Sequence, residues 1–163
     1  MEILPNLCTA ANLLLGVAAI AAVQNKNPLM SVFLIILAAM LDRADGIVAR
    51  RCNAVTAFGK EFDSLADLVS FGVAPSVLAY SAVAGTWPYP GLACFALFTL
   101  CGAYRLARFN VINCSSYFLG VPITVAGAVL AAIIALTSSP AVIVTAVLLL
   151  SAAMISTVRI PKI

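Results

Sequence analysis

Acidic side chains are few in this 163-residue sequence, and most of them lie close together. Five of the six Asp and Glu residues fall between positions 42 and 67. Asp42 and Asp45 are three residues apart and Asp63 and Asp67 are four apart, so each pair lies on one face of a helix. A short turn between the two helices would bring four carboxylates together. Because magnesium, manganese and calcium prefer carboxylate oxygens, the pattern predicts a site for two divalent ions, an arrangement suited to phosphoryl chemistry.

The residues that share these helix faces are small or basic. Gly46, Ala49 and Gly59 each lie four residues from one of the aspartates and leave room for a ligand against the backbone. Arg50 is placed to meet a phosphate with its two-pronged guanidinium. The alternative is a solvated helix end at which the aspartates pair with their basic neighbours, Arg43, Arg50, Arg51 and Lys60. The small-residue spacing favours the ligand site, because ion pairing does not need it.

The elements that must position these residues are apolar helices. Hydrophobic residues make up 64% of the chain and charged residues 9%, with a mean hydropathy of +1.14, so lipid must solvate most of the surface. We expect an all-α polytopic membrane fold, with one domain over residues 1–163 and six transmembrane helices that span about 30 Å of hydrocarbon. The expected helices cover about 7–23, 29–50, 58–83, 92–109, 121–136 and 141–158.

Basic residues predict the orientation in the membrane. If the loop between the second and third helices is cytoplasmic, eight of the nine Lys and Arg residues lie on that side. Lys26 then lies on the opposite side, and both termini are cytoplasmic. The first residues lack a basic segment, so we expect no cleaved signal peptide.

The composition argues against several other kinds of site. Histidine is absent, which excludes His-ligated zinc and imidazole catalysis. The five cysteines include no CxxC pair, so we expect neither a disulfide framework nor a thiolate metal site. No Ser, Cys or His constellation suggests a nucleophile, which predicts direct attack by the acceptor without a covalent enzyme intermediate.

The acidic segment resembles the signature of a known enzyme family. Residues 42–50 read Asp-Arg-Ala-Asp-Gly-Ile-Val-Ala-Arg, and Gly59, Asp63 and Asp67 follow. This segment is similar to the CDP-alcohol phosphotransferase signature, D-x2-D-G-x2-A-R-x8-G-x3-D-x3-D, and matches all eight fixed positions without a gap.

The resemblance implies a role for each matched residue. The implied metal ligands, for two ions of magnesium or manganese with calcium as an option, are Asp42, Asp45, Asp63 and Asp67. Asp67 is also the implied catalytic base, which takes the proton of the acceptor hydroxyl. The implied CDP pocket is lined by Gly46, Ala49, Arg50 and Gly59. The resemblance further implies a CDP-linked lipid donor, a small alcohol acceptor and a homodimer.

Three further segments resemble the phosphatidylserine synthase branch of this family. They are LPN-x-x-T-x-x-N-L at 4–13, R-x-A-R-F-N at 105–110 and F-x-G-x-P at 118–122. This branch implies L-serine as the acceptor and CDP-diacylglycerol or an archaeal CDP-diether lipid as the donor, in phospholipid biosynthesis. The short chain suggests a prokaryotic cell membrane, with the active site facing the cytoplasm.

Polar residues in these segments have two interpretations each. Thr9 and Asn12 share one face of the first helix, where they contact the CDP moiety or hydrogen-bond to a neighbouring helix. Arg105 and Arg108 bind an anion, either a lipid phosphate or the serine carboxylate, or else anchor their helix at the cytoplasmic surface. Asn110 binds substrate or caps the helix.

Two alternative functions stay open at this point. Glycerol 3-phosphate or an inositol phosphate would be the acceptor if Arg105 and Arg108 bind its phosphate. A small cation transporter would also carry intramembrane carboxylates, but near the midplane, whereas these aspartates lie at one end of their helices.

Overall fold

A computed structural model describes residues 3–52, 56–112 and 117–161, with side chains described for 6–43, 56–111 and 120–158. The helices in these ranges are α1 (Ile3–Gln24), α2 (Pro28–Cys52), α3 (Ala57–Asp67), α4 (Ala74–Val83), α5 (Pro88–Ile112), α6 (Ile123–Leu136) and α7 (Pro140–Ile155). A π-helical turn, Leu68–Val73, joins α3 to α4 without a break, so the three form one rod. Helices are therefore present in all six expected regions of the described chain.

One short strand pair adds to the helical fold that we predicted. β1 (Tyr117–Leu119) pairs antiparallel with β2 (Arg159–Pro161), and Phe118 lies opposite Ile160. The sequence pattern contains no alternation long enough to predict these three-residue strands, because they depend on pairing between two distant segments.

The last helix ends earlier than we predicted. We expected helix to about residue 158, but α7 ends at Ile155. The guanidinium of Arg108 donates to the carbonyl oxygens of Ile155 at 2.9 Å and Ser156 at 3.1 Å. These bonds satisfy acceptors that have no partner within the helix, which provides a physical reason for the stop.

The π-helical turn has an identifiable cause at Pro75. Proline has no backbone N–H, and its ring clashes with the carbonyl four residues earlier, here that of Phe71. The turn is wider than an α-helix, and the N–H of Ala74 bonds to the carbonyl of Val69, five residues back. Gly127 on α6 packs against the same region, since a Cβ atom there would lie 2.5 Å from the Phe71 oxygen. The rod therefore contains a local change of helical register directly after α3.

Three helices in the described ranges are long and apolar enough to cross a membrane. They are Asn6–Gln24, Ala57–Val83 and Pro88–Val111. The apolar helices α6 and α7 are shorter, with 14 and 16 residues. Large apolar side chains point outward, with Leu14 at 68% exposure and Leu100 at 67%. Exposed apolar surface of this kind is expected of a chain whose solvent is lipid.

The rod formed by α3, the π-helical turn and α4 lies at the centre of the molecule. It contacts α1, α2, α5, α6 and α7. The side chains of Phe71, Leu78 and Phe98 are fully buried around it. Because the rod begins with the segment that carries Asp63 and Asp67, its packing determines where those two aspartates lie.

Gly120 provides a test of the packing against the end of α7. Its φ is +73°, and a Cβ atom there would lie 3.0 Å from the carbonyl oxygen of Ala153 and against that of Met154. We expect Gly120→Ala to lower the free energy of unfolding by about 1–3 kcal/mol, because both the backbone conformation and these contacts oppose a side chain. Thermal unfolding in detergent measures the loss. Gly85→Ala is the matched control, since no atom lies within 4 Å of a Cβ built there. Equal losses in the two variants would contradict this interpretation.

Candidate metal centre

Three of the four predicted metal ligands meet in the structure. Asp42 lies in the second half of α2, and Asp63 and Asp67 lie one turn apart on α3. One carboxylate oxygen from each of the three lies within 4.8 Å of the others. The side chain of the fourth predicted ligand, Asp45, lies outside the described residues. We call Asp42, Asp63 and Asp67 the acidic cluster.

The start of α3 is fixed by a hydrogen bond beside the acidic cluster. Thr56 is the N-cap, and its hydroxyl oxygen accepts from the backbone N–H of Gly59 at 3.0 Å. A Cβ atom at Gly59 would lie 3.0 Å from that hydroxyl and 3.4 Å from Oδ1 of Asn6 on α1. The absence of a side chain therefore lets the start of α1 approach α3 closely, one turn before Asp63.

The acidic cluster carries strong electrostatic repulsion. The charge of Asp42 acts directly on Asp63, and like charges this close repel more strongly where protein or lipid replaces water. A divalent cation would compensate the repulsion. Three hard oxygen donors within 4.8 Å of one another form a donor set that suits magnesium, manganese or calcium. The residues present therefore fit a divalent metal.

Asn12 connects α1 to the acidic cluster. Its side chain is 1% exposed, and Nδ2 donates to Oδ1 of Asp67 at 3.4 Å. Its backbone oxygen accepts from the hydroxyl of Ser70 at 2.9 Å. Gly16 permits this contact, because a Cβ atom there would lie only 2.7 Å from the Cα of Ser70. A close approach between α1 and the π-helical turn thus orients the Asp67 carboxylate.

The interhelical alternative for Asn12 is therefore realised in the structure. Its remaining acceptor, Oδ1, is buried and has no hydrogen-bond partner among the described residues. Thr9, one turn earlier on α1, is buried as well. Contact of Thr9 and Asn12 with the CDP moiety stays a prediction.

Arg105 is a buried cation close to the acidic cluster. The side chain is 6% exposed, and within the described part of the chain its Nε has no hydrogen-bond partner. The charge of Asp67 acts on Arg105, and the guanidinium carbon lies 5.9 Å from the centre of the Phe109 ring. Burying a cation is costly unless anions compensate it, so Arg105 has the environment of an anion-binding residue.

Arg108 and Asn110 are engaged in tertiary contacts. Arg108 bonds to the end of α7 and lies 5.9 Å from the ring centre of Tyr104. Nδ2 of Asn110 donates to the Ser64 hydroxyl at 3.0 Å and to Glu61 Oε2 at 3.3 Å, both on α3. We had expected Asn110 to bind substrate or cap its own helix, and the structure adds this third arrangement. Substrate contact by either residue stays a prediction.

The remaining predicted pocket residues lie in the last turns of α2. The backbone of the helix is described there, but the side chains of Ala49 and Arg50 and the surroundings of Gly46 lie outside the described residues. Sequence reasoning missed Ser64 and Ser70. Both lie three residues from Asp67, one on each side, and this spacing was the available signal because it places all three on adjacent turns.

Comparison with known proteins identifies the family. The sequence profile described as CDP-alcohol phosphatidyltransferase matches residues 2–159. The chain belongs to this family.

Three proteins similar to this chain carry the name CDP-diacylglycerol–serine O-phosphatidyltransferase. One from Bacillus subtilis (strain 168) is 38% identical over 99% of this chain and 91% of its own length. One from Helicobacter pylori (strain ATCC 700392 / 26695) is 43% identical over 77% of this chain and 54% of its own length. One from Methanocaldococcus jannaschii is 37% identical over 94% of this chain and 71% of its own length. The resemblance seen in the motif therefore extends along nearly the whole chain.

Metal binding should be measurable without substrate. We expect magnesium or manganese to raise the thermal unfolding midpoint in detergent, because a ligand at 100 times its Kd stabilises the folded state by about 2.7 kcal/mol. Asp63→Asn should largely remove this shift, since it replaces a carboxylate of the acidic cluster. Glu61→Gln is the control, because Glu61 is acidic and on the same helix but contacts Asn110 instead. A shift that persists in Asp63→Asn, or that is lost in Glu61→Gln, would show that the metal binds elsewhere.

Proposed function

We propose that this chain transfers a phosphatidyl group from CDP-diacylglycerol, or from an archaeal CDP-diether lipid, to the hydroxyl of L-serine and releases CMP. The observation that carries the chemistry is the convergence of Asp42, Asp63 and Asp67 within 4.8 Å. The choice of serine is supported by the name that the three relatives share.

The proposed metal ligands are the three carboxylates of the acidic cluster together with Asp45. Two ions, of magnesium or manganese with calcium as an option, would be held by oxygen donors alone. When bound, the metal would neutralise charge on the donor pyrophosphate and on the departing CMP. The position of these carboxylates in the first half of the rod and in the second half of α2 supports a site near one surface of the membrane.

Asp67 is the proposed catalytic base. The serine oxygen attacks the phosphorus that carries the lipid, and a new P–O bond forms as the bond from that phosphorus to the CMP oxygen breaks. The hydroxyl proton passes to the Asp67 carboxylate. The hydrogen bond from Asn12 supports this role, because it restricts rotation of the carboxylate. No covalent enzyme intermediate is required.

The donor pocket is proposed to lie between α1, the end of α2 and the start of α3. Its residues would be Thr9, Asn12, Gly46, Ala49, Arg50 and Gly59. One feature of the described residues supports it. The Oδ1 atom of Asn12 is a buried acceptor without a partner there.

The acceptor carboxylate is proposed to bind Arg105. This guanidinium is buried, and the charge of Asp67 acts on it. A phosphorylated acceptor would demand more cationic contacts than a carboxylate does. Because Arg108 already donates to Ile155 and Ser156, this arrangement favours an acceptor with a carboxylate over one with a phosphate.

The proposed setting is a prokaryotic cell membrane, with six spans formed by a single domain and with both termini and the active site on the cytoplasmic side. The apolar helices and the charge asymmetry of the sequence support this topology. A homodimer is proposed on the family resemblance.

The reaction can be tested by CMP release from CDP-diacylglycerol in detergent. With magnesium or manganese present, we expect release with L-serine, little with glycerol 3-phosphate or without acceptor, and none after chelation. Asp67→Asn should lower kcat by about 10²–10⁴-fold, because it removes the general base. Glu61→Gln, on the same helix, should retain activity.

The outcomes separate the alternatives. Release with glycerol 3-phosphate alone would leave the family unchanged and overturn serine as the acceptor. If folded protein released no CMP with any small alcohol, the transferase proposal would be wrong and a cation transporter would be favoured.

Substitution of Arg105 should change the KM for L-serine more than the KM for the CDP-lipid. We expect Arg105→Gln to raise the KM for L-serine by at least about tenfold and to leave the KM for the CDP-lipid nearly unchanged, because a charged hydrogen-bond partner of the carboxylate is lost. Arg108→Gln is the matched control and should mainly lower thermal stability. A rise confined to the KM of the CDP-lipid would instead assign Arg105 to the donor phosphate.

A further inference from the structure

We infer that Asn110 is a positioning residue, which ties the end of α5 to α3 and thereby sets Arg105 against Asp67. The inference rests on the proposed function, because it explains how Arg105, which binds the acceptor, and Asp67, the base, are kept at a fixed position relative to each other. It assigns Asn110 to neither of the two roles that its place in the sequence suggested.

The first observation is the set of polar contacts around Asn110. Nδ2 donates to the Ser64 hydroxyl at 3.0 Å and reaches both carboxylate oxygens of Glu61, at 3.3 and 3.4 Å. Nζ of Lys60 donates to the Asn110 backbone oxygen at 3.5 Å. The Ser64 hydroxyl in turn donates to the Lys60 backbone oxygen at 3.1 Å. We call Lys60, Glu61, Ser64 and Asn110 the α3–α5 bridge.

The second observation is the neighbouring ring of Phe109. Nζ of Lys60 lies 6.0 Å from its centre, and the Arg105 guanidinium carbon lies 5.9 Å from it. Cations at such distances are attracted to an aromatic ring. Phe109 therefore connects the α3–α5 bridge to Arg105 through direct contacts.

The chemistry of the bridge fixes the orientation of the Asn110 amide. A carboxylate can only accept hydrogen bonds, so the NH2 group must face Glu61. The amide oxygen is buried and has no partner among the described residues, so the hydrogen bonds of this side chain run to α3. A carboxylate at position 110 would face that of Glu61 and repel it.

The helix that the bridge holds, α3, carries Asp63 and Asp67 of the acidic cluster. Ser64 is adjacent to Asp63 and three residues before Asp67. A displacement of about 1 Å in a catalytic group can lower a rate by about 100-fold. Loosening the bridge would therefore move Arg105 relative to Asp67, although no residue of the bridge needs to contact substrate.

A double-mutant cycle tests this inference. We expect Asn110→Asp to lower kcat/KM for L-serine by about tenfold, because the two carboxylates repel. Glu61→Gln alone should change it by less than about threefold, since Asn110 can still donate to the Gln oxygen. The double variant should recover activity to within about threefold of wild type, because the Gln amide can donate to the new carboxylate.

Three controls make the cycle specific. Asn27→Asp is the same substitution at an exposed position just before α2, outside the acidic cluster and the bridge. The side-chain oxygen of Asn27 accepts from the backbone N–H of Met30. Because Asp also caps helices well, this variant should leave the kinetics unchanged. Thermal unfolding should show whether a variant has lost stability or has only changed the position of Arg105 relative to Asp67. The KM for the CDP-lipid should move less than that for L-serine, which a general loss of structure would not produce.

Direct substrate binding by Asn110 would give a different pattern. The KM for L-serine would then rise in Asn110→Asp whether position 61 holds Glu or Gln, and this result would overturn the inference. If wild-type protein used glycerol 3-phosphate instead of L-serine, the proposed acceptor would be wrong. The same cycle measured with that acceptor would still test the bridge, so the two failures are distinguishable.

Discussion

Mutual repulsion among the aspartates is the constraint on which the rest of the structure depends. Asp42, Asp63 and Asp67 bring carboxylate oxygens within 4.8 Å of one another. Helix propensity does not stabilise that arrangement. Apolar contacts elsewhere must hold the helices together against it. The central rod supplies them, since it packs against α1, α2, α5, α6 and α7. Metal binding would then convert the repulsion into favourable coordination.

Several polar contacts near the acidic cluster join α3 or the π-helical turn to another helix. Asn12 bonds to Asp67 and to Ser70 from α1, while Asn110 bonds to Ser64 and Glu61 from α5. In a medium of low dielectric constant, satisfied hydrogen bonds are strong and unsatisfied ones are expensive. Such contacts therefore specify the relative position of three helices more sharply than apolar packing does. The close approaches at Gly16 and Gly59 are the steric counterpart of these bonds.

Most of the helical architecture could be predicted from hydropathy, because a helix in lipid must satisfy its backbone internally and be apolar along its length. The places where the prediction differed from the structure have local causes that hydropathy does not report. Pro75 turns a uniform helix into a rod with a π-helical turn. The guanidinium of Arg108 bonds to the end of α7, which stops at Ile155 although helix was expected to about residue 158. Each of these features depends on the steric and hydrogen-bonding properties of a particular residue rather than on apolar character.

The sequence by itself determined the chemistry of the site, because the spacing of four aspartates, two glycines, an alanine and an arginine is encoded along two adjacent helices. Tertiary structure decided which polar residue serves which purpose. Arg105 and Arg108 are one turn apart and equivalent in sequence terms, yet the first is buried where the charge of Asp67 acts on it and the second bonds to the end of α7. Asn12 and Asn110 likewise have partners 55 and 46 residues away. Which side chain faces which partner depends on how distant helices pack, and no local periodicity carries that information.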